Sequence, residues 1–450
     1  MSIYFFEKND KCVVFQSQTL KAWLADYGTK SILKAIMAGR AKEDVCGSFA
    51  ISTERYNQLL SIANPGPEPE HPNDNSLSSL ILHVSNTCNL ACAYCYAHGG
   101  SYRSKASVMD VATVRKAIDA FFDQYSEIRE VKFFGGEPFM NTDVIAEACR
   151  YIAAKKVRNE ISRVPRYKVI TNGTILPDSG LKAVRDYGID VVLSVDGPEK
   201  VHDACRVYKG SSFGTFNDIL KTANRLREST NGSQPCGIEA TYTAEHERAP
   251  ISVHETVKYL SETFRVNPEK VNISPVIAEK GSPFNLNDLV SSFSLSVTDG
   301  IREQNLGNGC YSSQKINAYV RRLKLGLPAG SKICHAGSDW LAVSANGDVY
   351  PCYMFMDEKA FCMGNVHDAM FPSEQFHRLS SDFANAGNTR DQTCGSCCYK
   401  NLCASCMGMN YRENGDPFKM SSIQCRFNKS LLPPLIAEEA QEMLQMEECL

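Results

Sequence analysis

The chain has 450 residues, enough for about three domains and a large buried core. Its 48 basic and 51 acidic residues leave a net charge of -3, so there is no electrostatic basis for binding nucleic acid or an anionic membrane. No apolar run reaches membrane-spanning length and the start lacks a secretory signal core, so a cytoplasmic setting is expected, where the 19 cysteines suit metal ligation better than disulfides.

Residues 1–63 read as a small α+β module. Ile3–Glu7 and Lys11–Gln16 are strand-like runs around the turn Lys8 Asn9 Asp10, followed by helical stretches near Thr29–Gly39 and Thr53–Ile62. Residues 64–77, rich in proline and polar side chains, predict a linker. A strand pair beside helices suits capture of an extended peptide as an added strand. The plainer role is a lid over a barrel edge.

From 78 to 300, strand runs alternate with helical ones. The strands are Leu80–Ser85, Val131–Phe134, Tyr167–Thr171, Val191–Val195, Gly237–Tyr242 and Val271–Val276. This predicts an α/β fold with a parallel sheet, open or closed into a barrel, in which ligands sit at the C-terminal strand ends. Unusual residues cluster there. Cys88-x3-Cys92-x2-Cys95 follows the first strand, Gly135 Gly136 Glu137 Pro138 the second, Asn172 Gly173 Thr174 the third and Asp196 Gly197 the fourth.

Three thiolates in eight residues can hold one face of a four-iron cluster and leave one iron open, although zinc sites also use closely spaced cysteines. Two glycines let backbone approach an amine, whose protons Glu137 or adjoining carbonyls can accept. Thr171, Asn172 and Ser194 can hydrogen-bond a ribose or carboxylate, and Arg206 can fork onto a carboxylate. Taken singly, Gly-Gly and Asn-Gly are ordinary tight turns.

Together these segments resemble the radical S-adenosylmethionine (SAM) superfamily. The resemblance implies a partial (β/α)6 TIM-like barrel whose first cluster, on Cys88, Cys92 and Cys95, chelates SAM and reductively cleaves it to a 5'-deoxyadenosyl radical. It implies cofactor contacts at Tyr94, Gly135, Gly136, Glu137, Pro138, Thr171, Asn172, Ser194, Asp196 and Arg206.

Residues 301–430 are cysteine-dense: Cys334, Cys352, Cys394-x2-Cys397-x5-Cys403-x2-Cys406 and Cys425. Such spacing is a strong metal signal that does not name the metal. With Gly347 Asp348 Val349 Tyr350 Pro351 Cys352, it resembles the SPASM extension of radical SAM enzymes that modify ribosomally made peptides. That resemblance implies two auxiliary four-iron clusters, one on Cys394, Cys397, Cys403 and Cys425, the other on Cys334, Cys352 and Cys406. The two-residue gap between Cys403 and Cys406 is similar to the subgroup that forms thioether links in cysteine-rich peptides.

A fourth ligand for the three-cysteine set would come from Cys310, Cys362 or Cys398, none at the family's spacing. Without one, an iron is open to a peptide thiolate. Cys12, Cys46, Cys149, Cys205, Cys236 and Cys449 read as packing thiols. A packing helix is predicted at Pro434–Glu448, within a terminal segment at 431–450.

The expectation is therefore a three-cluster maturase that installs thioether crosslinks in a cysteine-containing precursor peptide, fed electrons by a donor such as flavodoxin or ferredoxin. Formylglycine formation of the sulfatase-maturase kind and carbon-carbon crosslinking are alternatives on the same scaffold. A zinc-ribbon binding protein is the alternative of another class.

Overall fold

The computed structural model describes residues 3–8, 11–64, 75–276, 278, 281–286, 293, 314–326, 334–386 and 392–448. The turn residues Asn9 and Asp10, most of the expected linker, Cys310 and Cys449 lie outside the described residues.

The N-terminal module starts with three strands rather than two. β1 (Ile3–Lys8), β2 (Lys11–Gln16) and β3 (Lys21–Ala25) form an antiparallel meander in that order. Their alternation serves two faces. Ile3, Cys12 and Val14 pack with the helices Tyr27–Met37, Lys42–Phe49 and Thr53–Ala63, while Val13, Phe15 and Ala22 enter the main core of the molecule. Helix Lys42–Phe49 gave no sequence signal because it buries one side chain, Val45. The short segments β4 (Ser76–Leu77) and β6 (Glu127–Ile128) pair in parallel.

Six parallel strands then lie side by side in chain order: β5 (Ser79–Ser85), β7 (Glu130–Gly135), β8 (Arg166–Thr171), β9 (Asp190–Ser194), β10 (Gly237–Tyr242) and β11 (Val271–Pro275). Helices including Val111–Gln124, Thr142–Val157, Asp178–Tyr187 and Phe216–Ser229 connect them, giving the expected partial TIM-like barrel. Val131, Phe133, Val169, Val191 and Leu193 point into the helix-covered core. The residues that alternate with them, such as Lys132, Lys168 and Ser194, face the lumen.

Beyond the barrel, β12 (Trp340–Val343) pairs in parallel with β5, and β13 (Asp348–Tyr350) and β14 (Gly364–Asn365) continue the same sheet antiparallel. The cysteine-rich region is thus built onto the first barrel strand. The C-terminal helix runs Ser422–Glu448, twelve residues earlier than predicted, with Pro433 and Pro434 inside it. Proline removes a backbone donor and usually interrupts a helix. Here Leu431, Leu432, Leu435 and Ile436 stay buried on both sides of the pair and carry the helix through. Among the described residues no helix is long and apolar enough to cross a membrane.

Candidate functional site

The loop bearing Cys88, Cys92 and Cys95 leaves β5 and is tied down by backbone. Ala91 N donates to Val207 O (2.9 Å) and Ala93 N to Cys205 O (2.9 Å), while Leu90 is buried as its anchor. The Gly135–Pro138 turn packs directly on this loop: Gly136 N donates to Ser85 O (2.7 Å) and Glu137 N to Thr87 O (2.8 Å). A Cβ on Gly136 would stand 2.3 Å from Thr87 O, and one on Gly100 would stand 2.5 Å from Gly136 Cα. Gly100, with φ +88°, is therefore part of the site, and sequence reading missed it. Its signal, a Gly-Gly pair five residues past the last cysteine, resembled any turn.

Burial pushes the Cys88 thiol up to about 11 and the Cys92 thiol up to about 12, with Glu137 and Cys95 respectively among the neighbouring acids that add to the rise. Thiols so placed ionise only beside compensating positive charge. Such a donor set fits an iron-sulfur cluster, whose irons supply that charge to soft sulfur.

Two expected cofactor contacts prove to be occupied within the chain. Glu137 is fully buried, and its carboxylate accepts from Thr171 Oγ1 (2.7 Å), Asn172 N (2.7 Å) and Phe139 N (3.0 Å). It latches the end of β7 to the end of β8, so an amine bound here is left to the adjoining carbonyls. Thr171 Oγ1 also accepts from Gly173 N (3.0 Å), so its hydroxyl is already engaged twice within the chain.

Arg206 is likewise engaged. Its Nε and Nη2 fork onto Asp196 at 3.0 and 3.2 Å, and its guanidinium lies 5.5 Å above the Tyr94 ring. The Tyr94 hydroxyl donates to Asp196 Oδ2, and Thr241 N donates to Asp196 Oδ1 (3.0 Å). Burial works to raise the Asp196 carboxyl, but Arg206, His202 and the Tyr94 hydroxyl together outweigh it and hold the group below the usual carboxylate range. The pair is a fixed buried unit that anchors the cysteine loop through Tyr94. Asn172 does face that loop: its Nδ2 donates to Asn89 Oδ1 (2.9 Å) and approaches Cys88 Sγ (3.6 Å). Ser194 ends β9, half-buried. Pro138 opens a short 3-10 turn.

The remaining predicted ligands gather in two groups. Cys334 and Cys406 are both electrostatic neighbours of Cys352, which is fully buried and held well above the ordinary thiol range chiefly by that burial. Cys403 likewise has Cys397, Cys394 and Cys425 as neighbours, and Asn428 Nδ2 donates to its sulfur (3.1 Å). Of the candidate fourth ligands for the first group, Cys362 meets Gly364 O (3.7 Å) beside Asp348, and Cys398 sits next to Cys397 and Tyr399 in the other group. Among the described residues no three His, Cys, Asp or Glu side chains stand close enough together to hold a single metal ion.

Sequence reading also missed what separates the cysteine loop from Cys352. Tyr96 packs 5.9 Å from Tyr102 and 6.4 Å from Tyr353, and Phe134 lies 4.8 Å from Tyr353. These rings, with Cys95, Cys334 and Cys352, form one apolar cluster between barrel and extension. On the N-terminal module, a groove of about 560 Å³ runs between β1, an edge strand, and helix Tyr27–Met37, with Lys30 and Lys34 on its wall.

Residues 82–238 match the radical SAM superfamily, and residues 334–398 match the SPASM iron-sulfur cluster-binding domain. The chain is 24% identical over 377 residues to a cysteine-type anaerobic sulfatase-maturating enzyme of Clostridium novyi, covering 81% of this chain and 96% of that one. The structure of native anSMEcpe with bound AdoMet superposes with TM-score 0.66 at 20% identity, over 81% of this chain and 99% of that one. Streptococcus suis SuiB bound to its precursor peptide SuiA superposes with TM-score 0.54 at 14% identity, over 94% and 98%.

Proposed function

From the premise that this chain is a radical SAM enzyme carrying a SPASM extension, we propose that it links a cysteine sulfur to a carbon within a ribosomally made precursor peptide. The observation that supports this reading is that Cys95 and Cys352 belong to one apolar cluster with Tyr96 and Tyr353, so the cysteine loop and an auxiliary cysteine share the same boundary between barrel and extension.

Cys88, Cys92 and Cys95 would hold the SAM-binding cluster. Cys334, Cys352 and Cys406 would hold one auxiliary cluster, and Cys394, Cys397, Cys403 and Cys425 the other. When bound, these groups supply one-electron cleavage of SAM and the radical chemistry that follows. The chain's own residues orient and seal. Glu137 locks the glycine turn under the cysteine loop, the Asp196–Arg206 pair fixes Tyr94, and the ring cluster keeps the boundary between barrel and extension apolar.

The three-cysteine set is one thiolate short of the four-cysteine set, and a peptide thiolate has the chemistry to complete it. The β1 edge with its lysine-lined groove suits an extended, acidic peptide segment added as a fourth strand. A one-electron donor such as flavodoxin or ferredoxin would serve the clusters in a reducing cytoplasm.

Anaerobic co-expression with a cysteine-rich candidate peptide tests the proposal. One hydrogen pair should be lost per link, with the cysteine thereafter refusing alkylation. An unchanged peptide mass sinks it. The sulfatase-maturase relative favours formylglycine as a second reading. In that case the product would carry an aldehyde that reacts with hydrazide, and no link.

A further inference from the structure

A substrate thiol must shed its proton before it can bind a metal or bond to carbon, and both Glu137 and Asp196 are engaged within the chain. The lumen contains another carboxylate. Glu239 stands on β10, in register with Ser194 of β9 and Asn272 of β11, two residues before Thr241, which donates to Asp196. Alternation along the strand sends its side chain into the barrel while Ile238 and Ala240 pack in the core. Asn272 Nδ2 donates to Oε2 (2.6 Å) and fixes the carboxylate. Oε1 has no hydrogen-bond partner among the described residues, and the side chain keeps accessible surface although it lies inside the barrel.

Across the lumen, Glu239 is an electrostatic neighbour of Tyr353, the residue after Cys352. It therefore lies between the strand end that carries Asp196 and the three-cysteine auxiliary group. The charged groups facing it are Lys132 of β7 and Lys168 of β8, both of which are ion-paired with Glu130, at 3.5 and 3.0 Å. Burial raises its carboxyl above the usual range, which suits a proton acceptor more than a permanent anion.

We propose that Glu239 Oε1 is the proton acceptor for the substrate cysteine. The S–H bond breaks, its proton passes to Glu239, and the electron pair stays on sulfur. This rests on the peptide-modifying reading above and adds to it the one acid-base residue that reading lacked.

The test uses the cluster-loaded full chain, SAM, reductant and a co-expressed cysteine-rich peptide deuterated at the acceptor carbon. In E239Q, link formation should fall about a hundredfold, the usual worth of a positioned base. Deuterium transfer into 5'-deoxyadenosine and peptide affinity by fluorescence anisotropy should stay at wild-type values. The wild-type rate should rise with pH through one acidic ionisation. E239D should recover part of the rate, and E239Q should lose that acidic limb.

Wild-type link formation and an intact acidic limb in E239Q would overturn the assignment. A fall in peptide affinity that matches the fall in rate would also overturn it, by making Glu239 a binding contact. Failure of the underlying reading looks different: wild type itself then leaves the peptide unmodified, which removes both.

Discussion

The two kinds of cysteine site in this molecule are built in opposite ways. The loop of Cys88, Cys92 and Cys95 lies on a finished β-sheet and is held by backbone hydrogen bonds from the Gly135–Pro138 turn and from residues 205–209. The auxiliary cysteines come from separate places: the approach to β12, the end of β13, the turns of 392–406 and the first turn of the C-terminal helix. Within 392–406 the only regular element is the single-turn helix Gln392–Gly395. The first site is thus shaped by regular secondary structure, whereas the second rests largely on turns, so a metal bound there would add to its order. Metal binding to a site without prior order becomes folding free energy.

Stripping iron from the protein should therefore separate the two regions, and this is the largest effect we expect. Amides in 392–406 should exchange more than about a hundredfold faster after chelation, while those of β5 and β7 keep their protection. Hydrogen exchange on holo and chelated protein measures it. Equal protection in both regions would erase the contrast.

Glycines sharpen it. Gly136→Ala places a Cβ 2.3 Å from Thr87 O and 2.9 Å from Gly100 Cα, both backbone atoms that cannot swing aside. It should cost about 3 kcal/mol or more and lower iron content at the first site. Gly395→Ala, among the auxiliary cysteines, meets nothing within 4 Å and should change stability by less than about 0.5 kcal/mol. Denaturant titration with iron analysis of the two variants reads both.

The contrast also explains what the sequence revealed. Cysteine spacing pointed to both groups because a cluster demands thiolates at set intervals, wherever the chain runs. The six parallel strands were legible as apolar runs since both sheet faces are covered. The partners of the polar residues were not. Glu137 and Arg206 look the same in sequence whether they face a ligand or another strand end, and only the fold shows Thr171, Asn172 and Asp196 taking them up. The pairing of β12 with β5 and the ring cluster were hidden because they arise from contacts between residues more than two hundred positions apart, as Trp340 pairs with Ser79 and Tyr353 meets Tyr96.

The smallest effect expected is a pH slope that belongs to the barrel mouth alone. Burial lifts the Glu137 carboxyl from 4.5 to about 7, against the opposing hydrogen bonds from Asn172, Thr171 and Phe139. Between those two values the folded chain holds a proton at Glu137 that the unfolded chain has released. Stability must then fall as pH rises through that window, by at most about 3 kcal/mol. Glu137→Gln cannot titrate, so its stability should be flatter from pH 5 to pH 7. Where wild-type Glu137 is ionised the variant should be the less stable, because its amide nitrogen must face one of the three donors that the carboxylate satisfies, at a cost of about 1 to 3 kcal/mol. Parallel slopes for wild type and variant in denaturant unfolding would show that Glu137 keeps its charge throughout, with the three donors outweighing burial. The mouth would then be held by a permanent anion, and the tail would remain the only region whose order depends on a partner from outside the chain.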